Sequence, residues 1–225
     1  MTITRRGRSA RGSGELLRGE ILDATRDLLA QRGSADDVSI RSVAKAVGVS
    51  APSIYRHFAD KQELIDAVVA DLFGLLDDVM TEATTGIDSP PERLRQEGLA
   101  YVRFAREHPE QYRLATMQNT TAAGGIDQVL SSGAFTNFTQ TVTECMAVGF
   151  LIEGDPINVA LDLWAAAHGI ASLLVAKPFL PWGDPEEVAD RVLCAAVMGR
   201  AVGDLLGGSP TPESFTAWLS DIREG

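Results

Sequence analysis

Cysteine is scarce in this chain of 225 residues: there are two, Cys145 and Cys194. They lie far apart, and neither stands in a CxxC or Cys/His spacing, which argues against a disulfide framework or a zinc site and points to a reducing, cytoplasmic location. Histidine is nearly as rare, with three residues, and no metal site is expected from them. Long apolar runs are lacking too. The longest without a charge, Leu163 to Ala176, has 14 residues. A bilayer span needs roughly 18 to 20, so this segment reads as a buried helix and no membrane association is expected. The opening stretch MTITRRGRSARGSG has no apolar segment and fails as a secretory signal. Signatures of catalysis are missing as well: there is no GxSxG, no phosphate-binding loop, no GxGxxG after a strand and no HExxH. An enzyme therefore has little support, and no cofactor is expected.

What the chain does have is an uneven distribution of charge. The net charge of −11 comes from two unlike parts. Through Gln62 there are eleven Lys and Arg against seven Asp and Glu, and beyond it nine against twenty-four, giving +4 and −15. A basic first quarter on an acidic body suits one small surface that meets phosphate while the remainder repels it.

The patterning is helical almost throughout, and the chain reads as all-α. Residues 1–13, with four arginines among Gly and Ser, are expected to form a disordered basic arm that either reaches into a minor groove or remains a solvated tail. From Glu15 the apolar positions Leu17, Ile21, Ala24 and Leu28 recur at helical spacing, and Gly33 stands where the helix would stop. Ser39 is placed to cap a second helix whose Ile40, Val43, Ala44 and Val47 share a face, closed by Gly48. Only Val49 separates that glycine from Ser50, a second capping residue, so a third helix follows a very tight turn and is expected to run to Phe58. Asp60 with Glu63 predicts a box-like start for a long fourth helix. Further helices are expected over residues 92–108, 128–150, 156–175, 185–206 and 213–223, and the TTAAGG stretch from Thr120 reads as a mobile loop.

A helix, a short glycine-containing turn and a second short helix make a helix-turn-helix, which sets its second helix in the DNA major groove. In the third helix Ala51, Ile54 and Phe58 fall on the inner side, leaving Pro52, Ser53, Tyr55, Arg56 and His57 outward or sideways. Pro52 could lie against a thymine methyl, Ser53 and Arg56 could donate to base edges or phosphate, and Lys61 sits where helix N–H groups would also favour phosphate. Three-helix units with tight turns also occur in proteins that never touch DNA, and a lone exposed arginine is commonly only solvated. The turn length, the aromatic hydroxyl and the segregated charge together favour double-stranded DNA as the partner. His57 suits packing within the domain and contact with phosphate alike.

The run VSIRSVAKAVGVSAPSIYRHFADKQELIDAVV, residues 38–69, resembles the N-terminal domain of the TetR family of transcriptional regulators. The match is carried by Ser39, Ala44, Gly48, Val49, Ser50, Tyr55, His57, Phe58 and Lys61. The resemblance implies that Tyr55 and Lys61 hold phosphates, that Ser39, which caps helix two at the backbone, belongs with the DNA-binding residues, and that Ala51, Pro52 and Ser53 face bases. Ala51 departs from the polar residues often found there and offers only apolar contact. It implies a domain order of 14–60 for DNA binding and 61–225 for effector binding and dimerisation. In the larger part, YVRFAREHPEQYRLA from Tyr101 and LWAAAHGIASLL from Leu163 resemble regulatory-domain segments of the family, the second its W-x3-HG branch. Phe104, Trp164 and His168 are accordingly candidates for contact with a small apolar effector, though a histidine on such a face is more commonly satisfied by a neighbouring helix. Family practice implies a homodimer through the helices at 156–175 and 185–206, where small residues such as Ala165, Ala167, Ala195, Gly199 and Gly203 permit close approach; the other reading makes these helices a monomer's core. A repressor released from a pseudo-palindromic operator by its effector is the function so implied.

Overall fold

The computed structural model describes residues 13–32, 35–116, 132–207 and 211–224, and among them the chain is helical with no strand. In chain order the helices are α1 (Ser13–Arg32), α2 (Ile40–Val47), α3 (Ala51–Ile54), α4 (Lys61–Thr84), α5 (Pro90–Glu107), α6 (Pro109–Thr116), α7 (Gly133–Ala147), α8 (Pro156–Ala176), α9 (Pro185–Leu205) and α10 (Pro212–Glu224). The basic arm, Gly33 and the TTAAGG stretch lie outside the described residues apart from the arm's last residue.

The helices gather into two compact units. The first holds the residues up to Leu72 together with those of α6 from Glu110. Its core is made by Ile21, Leu22 and Leu29 of α1, Ile40 and Val43 of α2, Ile54 of α3, Phe58, and Leu64, Val68 and Leu72 of α4, with Leu114 of α6 packed among them. Two local devices set the α2–α3 pair. Ser39 caps α2, its Oγ accepting from the Ser42 N–H at 3.1 Å while the Ser42 Oγ accepts from the Ser39 N–H at 3.0 Å. At the other end Gly48 adopts φ 76°, a left-handed conformation that side chains disfavour, and the Val49 N–H closes on the Ala44 carbonyl at 2.9 Å.

Three expectations change here. The α-helix of α3 stops at Ile54, not Phe58, because the His57 and Phe58 N–H groups both turn back onto the Ile54 carbonyl, at 2.8 and 3.1 Å, tightening the chain through Tyr55–His57. Periodicity keeps Phe58 inward either way. Ser50 makes no side-chain cap, its Oγ standing instead 2.9 Å from the Ser53 Oγ. At the start of α4, Asp60 accepts from the Glu63 N–H at 2.8 Å, whereas the Glu63 carboxylate reaches back to the Ala59 N–H and so brackets one residue more than the expected box.

The second unit runs from Phe73 to Pro109 and again from Ala122, and its described part packs α5 against α7, α8 and α9, with α8 also against α7 and α9. Prolines open α5, α8 and α9 where a missing N–H is harmless, and Asp155 caps α8 by accepting from the Ile157 N–H at 3.0 Å. Close approach of α5 and α9 depends on Gly98, since a Cβ there would stand 3.0 Å from Leu193 Cδ1. Ion pairs lace the rim: Arg95 Nε to Asp190 at 2.6 Å, Arg103 to Glu186 at 2.6 Å, Arg200 to Asp162 at 3.0 Å, and Arg93 to Glu144. By length and composition α8 could cross a bilayer. Its Val159, Ala160, Leu163, Ala167, Ile170 and Ala171 are nonetheless buried within this unit, the pattern of a core helix.

Candidate functional site

Two places in the chain combine shape with unusual chemistry, one in each unit. In the first, the tight α2–α3 corner presents a polar surface on a rigid apolar base. Ile54 and Phe58 are fully buried, and the Arg18 guanidinium lies 5.1 Å from the centre of the Phe58 ring, sealing it from outside. Above them Pro52, Tyr55 and Arg56 are exposed, while Ala51, Ser53, His57 and Lys61 are half-buried. Tyr55, 53% exposed, is unusual for a large aromatic side chain with a core close by. Arg56 is held in place: its Nη2 donates to Ser53 Oγ at 3.1 Å, and Ser53 Oγ in turn stands 2.9 Å from Ser50 Oγ. This serine-serine-arginine line, of which Ser50 was expected only as a cap, pre-orders a cation on the outer face. Ser39 is exposed at the head of α2, its hydroxyl engaged in the cap. The arrangement offers donors and one fixed cation, the equipment for phosphate and base-edge contact.

In the second unit α4, α5, α7, α8 and α9 enclose a cavity of about 320 Å³. That lies at the lower end of small-molecule sites, roughly 300–1,000 Å³. Its wall is mainly apolar: Phe73, Leu76 and Met80 come from α4, Leu94 and Gly98 from α5, Phe135 and Phe138 from α7, Leu163 and Ala167 from α8, and Leu193 and Val197 from α9. Trp164 is on the wall, but neither Phe104 nor His168 is. Phe104 is buried with its ring 5.3 Å from that of His108. His168 takes the structural option: its Nδ1 stands 3.1 Å from the Tyr101 hydroxyl, which also accepts from Trp164 Nε1 at 3.3 Å. Burial lowers its pKa and keeps the ring neutral near pH 7.

The group that sequence reasoning overlooked is Glu97. It lines the cavity, is 5% exposed, and accepts from Thr141 Oγ1 at 2.7 Å through Oε1, while Oε2 has no hydrogen-bond partner among the described residues. Burial pushes its carboxyl up to about 7, against the opposing pull of the Thr141 hydroxyl and the Arg93 charge and with help from Glu144 and Asp77. The signal was present in the sequence. Glu97 lies three residues after Leu94 and four before Tyr101, on the apolar stripe of α5, where a carboxylate is out of place. Cys145, behind it, is pushed up to about 12, first by burial and then by Glu97 itself.

The outer faces of α8 and α9 carry exposed apolar side chains, Ile157, Leu173, Met198 and Leu205, and between the two helices Phe179 is 99% exposed. Of the small residues expected at a subunit contact, Ala165, Ala195 and Gly199 are exposed, whereas Ala167 and Gly203 are buried within the unit.

Comparison with known proteins bears on both places. Residues 21–68 match the family described as bacterial regulatory proteins of the tetR family, and residues 94–196 match the tetracyclin repressor-like C-terminal domain. Together these matches take in well over half of the chain. Over 95 residues the chain is 36% identical to the HTH-type transcriptional repressor KstR2 of Mycobacterium tuberculosis, covering 40% of this chain and 44% of that protein. Over 139 residues it is 28% identical to the HTH-type transcriptional regulator EthR of Mycolicibacterium smegmatis, covering 61% and 59%. The match thus spans less than two thirds of either curated relative. Among solved structures, a protein of unknown function from Rhodococcus sp. RHA1 superposes with a TM-score of 0.69 at 29% identity, covering 88% of this chain and 98% of that one. The fatty acid degradation regulator FadR from Bacillus halodurans, at 17% identity and a TM-score of 0.68, covers 85% and 97% and shares the fold.

Proposed function

The chain belongs to the TetR family of transcriptional regulators, and from that membership we propose that it is a homodimeric, cytoplasmic repressor that leaves a pseudo-palindromic operator when a small apolar effector enters its helical unit. Residues 14–60 are the reading head and 61–225 the effector and dimerisation part. The observation that carries the reading is the α2–α3 corner, where Tyr55 and Arg56 stand outward on a fully buried Ile54–Phe58 base. Tyr55 and Lys61 grip phosphates, with Ser39 and His57 supporting them from the flanks. Pro52 and Ala51 give apolar contact to base edges, and Ser53 and the Arg56 it orients supply the polar readout.

Regulation follows from α4. One continuous helix begins at Lys61, at the proposed DNA surface, and carries Phe73, Leu76 and Met80 to the cavity wall. An effector that displaces these three side chains moves the helix that anchors the reading head. Two heads must meet half-sites about one helical turn apart, so a ligand preferring another spacing weakens DNA binding by the factor with which DNA weakens the ligand. The exposed apolar faces of α8 and α9 suit pairing with a second copy.

Selection of bound duplexes from a random pool, run beside Tyr55→Ala, tests the reading. Enrichment of a pseudo-palindrome by the intact protein and not by the variant is the expected result. Failure of the intact protein to enrich any sequence at low salt would overturn it.

A further inference from the structure

The effector cavity has one polar feature that its apolar wall does not explain. Glu97 is buried, is one of the residues lining the cavity, and its Oε2 has no hydrogen-bond partner among the described residues. A buried carboxyl oxygen in that state is costly whether charged or neutral, because the protein supplies it with neither a donor nor an acceptor. Water aside, a ligand head group is what can complete it.

The surrounding charges decide which head group. On α5, Arg93 is engaged by Glu144 and by the carbonyls of Ile87 and Asp88, and Arg95 at the wall is held by Asp190 and Glu92. From α4, Asp77 is hydrogen-bonded to the Asn137 amide, and from α7 come Thr141, Glu144 and the protonated Cys145. From α9 the wall offers the Cys194 thiol, and from α8 Trp164, with neutral His168 behind it. Each guanidinium here is matched by a carboxylate, and Glu97 and Asp77 remain with no ion-pair partner among the described residues. The site therefore attracts positive charge and opposes a ligand carboxylate.

We propose that the cavity selects an apolar amine, whose protonated nitrogen donates to Glu97 Oε2 while its hydrocarbon body lies against the apolar wall. This rests on the cavity being the effector site. A charge-assisted hydrogen bond is about twice as strong as a neutral one, so an ammonium gains more from Oε2 than a hydroxyl of the same chain length. The Glu97 carboxyl, near half-ionised at pH 7 in the empty protein, gives up its proton on binding the cation.

Calorimetric titration of the full chain with decylamine, decanol and decanoate at pH 8 and pH 6 tests this. The amine remains protonated across that range, as a lysine side chain does. Decylamine is expected to bind at least about tenfold more tightly than decanol at pH 8 and to lose about tenfold on going to pH 6, with decanoate the weakest of the three. Glu97→Gln should remove both the preference and the pH dependence. If that variant does not fold, the contrasting pH profiles of decylamine and decanol on the intact protein still decide. Equal affinity for amine and alcohol, or a preference that survives Glu97→Gln, would overturn the amine assignment alone. Binding of none of the three would overturn the cavity as the effector site as well.

Discussion

Glutamine in place of Glu97 should make the ligand-free protein more resistant to unfolding at pH 8 relative to the parent than it does at pH 5. In the folded chain burial holds the carboxyl at about 7, and its ordinary value is 4.5. Between those values the folded state holds a proton that the unfolded state has released, so stability falls as pH rises through the interval and levels off above it. The stabilising protonated form is fully present below 4.5 and lost by the time pH passes 7. Each pH unit of that interval corresponds to about 1.4 kcal/mol, which puts the whole effect at roughly 3 kcal/mol, most of it falling between pH 5 and pH 8. A neutral amide does not titrate. Other acids titrate at pH 5 in parent and variant alike, so the difference between the two proteins isolates residue 97. Urea unfolding of both at one fixed protein concentration, which holds any subunit association constant, measures it. A stability difference that stays the same from pH 5 to pH 8 would refute the reasoning, because it would mean that Glu97 is already ionised in the fold.

Three further outcomes test the first unit. Gly48→Ala should cost about 1–2 kcal/mol in the same unfolding assay, because φ is 76° while a Cβ there meets nothing within 4 Å, leaving backbone strain as the only penalty. Ser39→Ala should cost about 1 kcal/mol through loss of the α2 cap, and an unchanged urea midpoint would show that the Ser42 bond contributes nothing. Lys61→Ala should reduce the slope of log affinity against log salt by about 0.9 per subunit on any duplex the protein binds, and an unchanged slope would remove Lys61 from the phosphate contacts.

Much of the first unit was legible because its determinants are local. Ser39 caps with its third neighbour, Gly48 reverses the chain within one residue, and the burial of Ile54 and Phe58 follows from their spacing. Spacing could not tell an α-helical Tyr55–His57 from the tightened turn that is found, since both carry Phe58 inward. The cavity was much less legible. Its wall draws on five helices separated by up to a hundred residues, and no periodicity within one helix says which side chains will face a common void. Trp164 and His168, four apart on one face of α8, were both candidates for effector contact, with a neighbouring helix the commoner partner for such a histidine; Trp164 reaches the wall, and His168 is taken by the Tyr101 hydroxyl from α5. That choice depends on a neighbour 67 positions away, which only tertiary packing reveals.

Glu97 bears on function because its placement works against stability. A carboxyl that served only to brace α5 against α7 would need the Thr141 hydroxyl on one oxygen and a donor on the other; a glutamine or an apolar residue would cost less there than an acid burdened by burial. Among the described residues the local rule that buried polar groups are satisfied fails at Arg26 Nε, Gln111 Oε1 and Glu97 Oε2, and Glu97 is the one of the three that lines the cavity, where α4 contributes three side chains to the same wall. A ligand that completes the oxygen recovers part of the free energy lost to desolvation, and it can do so only in the conformation that holds Glu97 and the α4 side chains around it. On the proposed reading the empty state is left poised, and the helix that begins at Lys61 is one of the elements that a ligand would bias.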